Sequence, residues 1–109
     1  MADGVSDVNP TTCEALVARL ARYDRLVEVG IGNRRDVARA LADRAHVTAT
    51  DIHDRPVPSG VRFVRDDVTD PDDSVYAGAD ALYALNLPPE LHRPTRDLAR
   101  RHGAAFLFT

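Results

Sequence analysis

Hydrophobic positions along the chain occur in two patterns, helical spacing and short uninterrupted runs. Leu16, Val17, Leu20 and Tyr23 follow at helical spacing after Thr11–Glu14, a segment typical of a helix-capping box. Short apolar runs bounded by Gly, Pro or Asp indicate buried strands. The predicted elements are helices at 11–22, 34–45, 72–77 and 88–102, and strands at 25–29, 47–52, 61–65, 81–86 and 104–108.

The alternation of strands and helices predicts a single α/β domain with a doubly wound, mostly parallel sheet. Right-handed crossovers give five strands in the order 3-2-1-4-5, a Rossmann-like core. Residues 1–10 are expected to be a flexible N-terminal arm, and residues 11–109 the domain. The fifth strand, Ala104–Phe108, would leave an apolar sheet edge, so we expect a homodimer or another partner there. A monomeric sedimentation profile at high concentration would contradict the homodimer.

Composition and charge argue against nucleic-acid-binding, membrane, disulfide-rich and metal-binding proteins. All 14 basic side chains are arginine, and the formal charge of -3 argues against a general nucleic-acid binder. The apolar runs are far shorter than the roughly 20 residues that span a bilayer, and the first ten residues do not resemble a signal peptide. We therefore expect a cytoplasmic protein without membrane association. The single cysteine, Cys13, and four scattered histidines favour neither a disulfide scaffold nor a metal site.

The candidate chemistry begins where the first strand runs into the second helix, at Glu28-Val29-Gly30-Ile31-Gly32. Glycines permit positive φ and allow backbone N–H groups to approach a ligand closely. Asp51 ends the second strand 21 positions after Gly30, where an acid can accept hydrogen bonds from ribose hydroxyls. Gly30, Gly32 and Asp51 together predict an adenosine ligand. The alternative is a tight strand-to-helix turn that binds nothing.

Residues near the ends of the second and third strands extend the predicted site. Asp67 can accept a hydrogen bond from the exocyclic amine of adenine, and Ile52 and Val68 can form apolar walls around the ring. The alternative for Asp67 is a solvated turn, which is the simpler explanation for the other four aspartates between residues 66 and 73.

With these motifs the sequence resembles the class I S-adenosylmethionine-dependent methyltransferases over essentially all of residues 11–109. The resemblance implies S-adenosylmethionine as cofactor. It implies that Gly30 and Gly32 approach the methionine moiety, that Asp51 binds the ribose and that Asp67 binds the adenine.

The same resemblance gives Glu28 a place beside the methionine end of the cofactor, where it supports the glycine loop. The compact size and the Pro88-Pro89 pair after the fourth strand resemble more closely a small archaeal uncharacterised (UPF) family with a methyltransferase-like core. The elements predicted here make a minimal core without the last two strands of full-length methyltransferases.

The sequence departs from the methyltransferase pattern after the glycine pair and after the fourth strand. Asn33-Arg34-Arg35 stands where a third glycine is common, so Asn33 joins the predicted cofactor contacts and either arginine can enter the site. Asn86-Leu87-Pro88-Pro89-Glu90 resembles the Asn-Pro-Pro-aromatic signature of amino methyltransferases, with Leu87 inserted and Glu90 replacing the aromatic residue.

Asn86 and Pro88 are accordingly the candidate catalytic residues, and Asn86 is also a candidate cofactor contact. A helix cap at Asn86, or a helix started by the prolines, is the simpler account of the same segment.

Two classes of function remain open on these residues. The first is a domain that binds S-adenosylmethionine or a related adenosine compound, with methyl transfer as its activity. The second is a non-catalytic interaction or regulatory domain that kept the fold and lost the cofactor. NAD sensing is a further alternative, although Arg35 occupies the third glycine position of a dinucleotide fingerprint. The fold cannot choose among them, because function resides in the site.

Overall fold

The structure, a computed structural model, describes residues 8–109, with side chains from Cys13 onward. Strands and helices alternate along these residues, except that a loop without a helix joins the second strand to the third. The helices are α1 (Val8–Leu20), α2 (Asp36–Ala42), α3 (Asp73–Tyr76) and α4 (His92–Arg101). The strands are β1 (Arg25–Val29), β2 (His46–Asp51), β3 (Val61–Arg65), β4 (Ala81–Ala84) and β5 (Ala105–Phe108). A 3₁₀ turn, Pro89–Leu91, leads into α4. Within the described residues, no helix has the length and apolar character needed to cross a membrane.

The five strands form one parallel sheet in the order β3-β2-β1-β4-β5, which confirms the predicted fold class and topology. On β1, Glu28 lies opposite Ala49 of β2 and Tyr83 of β4. Across the sheet, successive strands are added in one direction from β1 to β3 and in the opposite direction from β4 to β5, so the strand order reverses between β1 and β4. Because all strands run parallel, their carboxyl ends meet at one edge of the sheet, where ligands of doubly wound folds bind.

Two apolar clusters hold the helices against the two faces of the sheet. Between the sheet and helices α1 and α2 lie, among others, Leu20, Leu26, Ile31, Val37, Leu41 and Tyr83. Between the sheet and helices α3 and α4 lie Val27, Val29, Tyr76, Leu82 and Leu98. Successive β1 residues alternate between the clusters, as the two-residue period of a strand requires. Each large side chain buried in this way stabilises the fold by about 1.5–3 kcal/mol.

Several element boundaries differ from the sequence-based prediction. Helix α1 begins at Val8, so Thr11 lies inside the helix and not at its cap; Pro10 fits there because the first turn has no partner for a proline N–H in any case. Of the predicted arm, residues 8–10 are helical and residues 1–7 lie outside the described part. Helix α2 begins at Asp36 and not near residue 34, because the Arg34 amide donates to the Ile31 carbonyl and prolongs the turn.

Strand β5 lies at the outer edge of the sheet beside β4. Phe108 is 53% exposed, and its ring stacks on Phe106 with 5.3 Å between centroids and tilts against His92 with 4.4 Å between centroids. A partner at this edge stays a prediction.

Candidate ligand-binding site

A cavity of about 240 Å³, called here the main cavity, opens at the carboxyl ends of β1, β2, β3 and β4. It lies at the point where the strand order reverses, as the topology predicts. The sequence-predicted residues that line it are Gly30, Gly32, Asp51, Ile52, Asp67, Val68, Asn86 and Pro88. Residues from four separate segments therefore converge on one cleft.

The glycine turn is fastened to the end of β2 by backbone hydrogen bonds. The amides of Gly30 and Ile31 both donate to the Thr50 carbonyl, at 2.9 and 3.0 Å, and the Gly32 amide donates to Asp51 Oδ2 at 2.9 Å. Gly30 and Gly32 have φ of +70° and +58°, in the left-handed region that favours glycine. The turn and the acid are thus one connected unit.

Leu87, the inserted residue after β4, packs directly on this turn. A Cβ at Gly30 would lie 3.3 Å from Leu87 Cδ1, whereas a Cβ at Gly32 would have no neighbour within 4 Å. We expect Gly32→Ala to lower the free energy of unfolding by about 1–2 kcal/mol through its positive φ alone. Gly30→Ala should lose more, because Leu87 must also shift. Urea denaturation of both variants measures the difference; equal losses would contradict the Leu87 contact.

Asp51 is held in place as an ionised acceptor. Oδ1 accepts from the His53 amide at 3.0 Å, Oδ2 accepts from Gly32, and Arg55 Nε lies 3.5 Å from Oδ2. Burial opposes charge on this carboxyl, but the two amides and the Arg55 guanidinium together hold its pKa below the usual value. Carboxylate lone pairs not used by these donors remain available to a ligand.

Asp67, Ile52 and Val68 form the far side of the main cavity. The Thr69 amide and hydroxyl both donate to Asp67 Oδ1, at 2.9 and 2.7 Å, and they hold the pKa of this carboxyl below its usual value. Val68 is buried, but Ile52 is 54% exposed, an unusual degree for so large an apolar side chain. The wall therefore offers a carboxylate beside apolar surface.

Asp66 also lines this wall, although its sequence context indicated only a solvated turn. Its Oδ2 accepts from the buried Tyr76 hydroxyl at 2.5 Å, and its Oδ1 accepts from the Asp72 amide at 3.0 Å. Burial, followed by the bond to Asp66, raises the pKa of Tyr76. Asp66 thereby ties the loop after β3 to helix α3.

Glu28 lies beneath the glycine turn and does not line the main cavity. It is 1% exposed, on the face of β1 that α1 and α2 cover, beside Tyr83. Neither carboxylate oxygen has a hydrogen-bond partner among the described residues. Burial raises the pKa of Glu28 to about 8, against smaller opposing effects of the Tyr83 hydroxyl and the Arg34 charge. This carboxyl is therefore mostly neutral at pH 7.

A second opening, called here the arginine cavity, adjoins the main cavity and has a volume of about 640 Å³. Its lining is Gly32, Asn33, Arg34, Arg35, Asp36, Arg55 and Asn86. Asn33, which the sequence analysis predicted to contact the cofactor, lines the arginine cavity and not the main cavity. Arg55 lines both, and its Nη1 donates to Asn33 Oδ1 at 3.3 Å. Arg55 was not identified from the sequence, because this residue lies in an irregular loop without a periodic pattern. The one feature of the sequence that could have indicated it is its position four residues after Asp51.

Asn86 and Pro88 both lie at the mouth of the main cavity, and both are exposed. Asn86 does not cap a helix: the 3₁₀ turn begins at Pro89, with Pro88 at its N-cap position. Next to them, His92 Nε2 lies 3.0 Å from the Leu87 carbonyl oxygen, which fixes the backbone of this segment.

Two solved structures share the fold. One is described as the N-terminal domain of EvdMO1 with SAH bound, with a TM-score of 0.65 and 15% identity over 92% of this chain and 47% of that chain. The other is a putative exported protein from Burkholderia pseudomallei, with a TM-score of 0.59 and 20% identity over 76% of this chain and 45% of that one. The chain thus spans less than half of either protein. At these identities the likeness shows the fold alone.

Relatives in sequence are found among archaeal proteins. A UPF0146 protein of Halobacterium salinarum is 59% identical over 95 residues, which cover 86% of this chain and 74% of the relative. A UPF0146 protein of Archaeoglobus fulgidus is 46% identical over 81 residues, which cover 73% of this chain and 62% of the relative. The family model described as uncharacterised protein family UPF0146 matches residues 11–109. The archaeal resemblance is confirmed: the chain belongs to the UPF0146 family.

Proposed function

We propose that this chain binds S-adenosylmethionine, or a closely related adenosine compound, in the main cavity. The observation that carries the proposal is Asp51, an ionised carboxylate fixed by the Gly32 and His53 amides at the end of β2. A carboxylate at this position of a doubly wound sheet accepts hydrogen bonds from the vicinal hydroxyls of a ribose.

The remaining lining of the main cavity fits the adenine ring. Asp67 Oδ2 is not engaged by Thr69, so it is left to accept from the exocyclic amine. Ile52 and Val68 supply apolar surface for the ring faces, and the exposure of Ile52 is explained if a ligand covers it. Pockets for drug-sized ligands usually measure about 300–1,000 Å³, so the main cavity, at about 240 Å³, suits the nucleoside part of the ligand.

The neighbour in fold supports the choice of ligand class. The N-terminal domain of EvdMO1 is described with SAH bound, and its likeness to this chain extends over 92% of the residues. We extend that ligand to this chain as part of the proposal. S-adenosylmethionine would supply an electrophilic methyl group, and Asn86 and Pro88 are the residues that we propose contact its acceptor, because both line the main cavity.

Calorimetric titration with S-adenosylmethionine, S-adenosylhomocysteine and NAD tests the proposal, in low and in high salt. We expect micromolar binding of the first two and binding of NAD at least tenfold weaker. Tighter binding of NAD would replace the proposal with a dinucleotide sensor. Binding of none of the three by a folded sample would overturn it and favour the interaction domain.

A further inference from the structure

The arginine cavity differs in charge from the chain that contains it. Three arginines and one aspartate line it, whereas the whole chain has a formal charge of -3. The amide side chains of Asn33 and Asn86 add donors to the same lining. The lining is therefore rich in hydrogen-bond donors and carries excess positive charge.

The three guanidinium groups are only partly satisfied within the described residues. Arg34 Nε forms an ion pair with Asp36 Oδ1 at 3.0 Å. Arg55 Nε is buried and faces Asp51 Oδ2 at 3.5 Å, and Arg55 Nη1 donates to Asn33 Oδ1 at 3.3 Å. Arg35, which is partly buried, has no ion pair with any described acid. The guanidinium N–H groups that these contacts with described residues do not use lie on partly buried side chains, and they favour an anion in the cavity.

We infer that the arginine cavity binds the phosphate group of a second ligand, next to the adenosine compound of the proposed function. A carboxylate is satisfied by one guanidinium fork, whereas a phosphate monoester has three terminal oxygens for donors from several side chains. The Arg34, Arg35 and Arg55 groups come from two segments around one opening, an arrangement suited to the larger acceptor. The inference rests on the proposed function only for the identity of the neighbouring ligand.

A separate ligand explains the lining better than the pyrophosphate of a dinucleotide. Such a pyrophosphate packs against the backbone of a glycine-rich turn, but Arg35 occupies the third glycine position here. The phosphate is therefore expected at the arginine side chains and away from the turn itself.

Titration with pyrophosphate and inorganic phosphate, in the absence of any adenosine compound, tests the inference. Arg35→Gln is expected to weaken pyrophosphate binding about tenfold, the usual effect of losing a charge-assisted hydrogen bond. Arg35→Lys, which keeps the charge and loses the fork, should fall between Arg35→Gln and the wild type. Arg39→Gln is the matched control, because Arg39 is exposed one turn further along α2 and does not line the cavity; it should change the Kd less than twofold.

Each outcome decides one point. An unchanged Kd in folded Arg35→Gln, an equal loss in Arg39→Gln, or malonate binding as tightly as pyrophosphate would overturn the inference. Displacement of S-adenosylhomocysteine by pyrophosphate would overturn the separate site and assign the arginines to the adenosine ligand. Failure of S-adenosylhomocysteine to bind refutes the proposed function instead, and the titration without it still tests the phosphate site.

Discussion

Replacing Glu28 with glutamine is expected to raise the free energy of unfolding at pH 8 by on the order of 4 kcal/mol and to change it little at pH 4. Burial raises the pKa of this carboxyl from its ordinary 4.5 to about 8 in the folded chain. Between these two values the unfolded chain loses the Glu28 proton while the folded chain retains it. The stability of the wild type therefore falls by about 1.4 kcal/mol per pH unit in this window, and glutamine, which cannot ionise, removes the slope.

Urea denaturation at pH values between 4 and 8 measures the effect as the difference between variant and wild type. Glu14→Gln is the matched control, because Glu14 is exposed on α1 and should give a curve parallel to that of the wild type. If Glu28→Gln also runs parallel to the wild type, Glu28 ionises in the folded chain near its ordinary pKa, and water must reach the space beside Tyr83.

Replacing Asp51 with alanine is expected to weaken binding of S-adenosylhomocysteine at least about 100-fold. Two hydrogen bonds from ribose hydroxyls to a carboxylate are lost, each worth about 1.5–3 kcal/mol. The Gly32 and His53 amides lose their acceptor as well, so the turn is also less well fixed. Calorimetry with wild type and variant side by side gives the ratio of Kd values.

Asp54→Ala is the control for this experiment, because Asp54 is exposed three residues later and does not line the main cavity. Asp51→Asn, which keeps the shape of the side chain, separates loss of the negative charge from loss of the fold. A folded Asp51→Ala variant that binds S-adenosylhomocysteine with the Kd of the wild type would show that the adenosine site lies elsewhere.

The fold follows from the sequence because its determinants are periodic. Buried strands appear in the sequence as apolar runs, and helices appear as apolar residues at helical spacing. Because crossovers between parallel strands are right-handed, few strand orders are then possible. That strand order puts Gly30 and Asp51 at the ends of neighbouring strands, so the sequence alone predicted that they lie close together. The start of α1 was not predictable in the same way, because a capping segment such as Thr11–Glu14 also occurs inside a longer helix.

The parts of the site that escaped prediction depend on side-chain direction and irregular backbone. Glu28 precedes the glycine pair in sequence, but the strand period turns it to the face beneath α1 and α2. Arg55 and Asp66 line the main cavity from irregular loops, whose backbone conformation cannot be predicted from hydrophobic periodicity. Leu87, the inserted residue of the Asn-Pro-Pro-like segment, packs so closely on Gly30 that a Cβ there would lie 3.3 Å from its Cδ1.

The attachment of the glycine turn to β2 has a kinetic consequence. Three backbone amides, those of Gly30, Ile31 and Gly32, already join the turn to Thr50 and Asp51 before any ligand arrives. A ligand therefore meets a preformed surface, without a slow loop-ordering step before capture. Adenosine compounds should then enter at similar rates, and the chain should discriminate among them by how long each one stays bound.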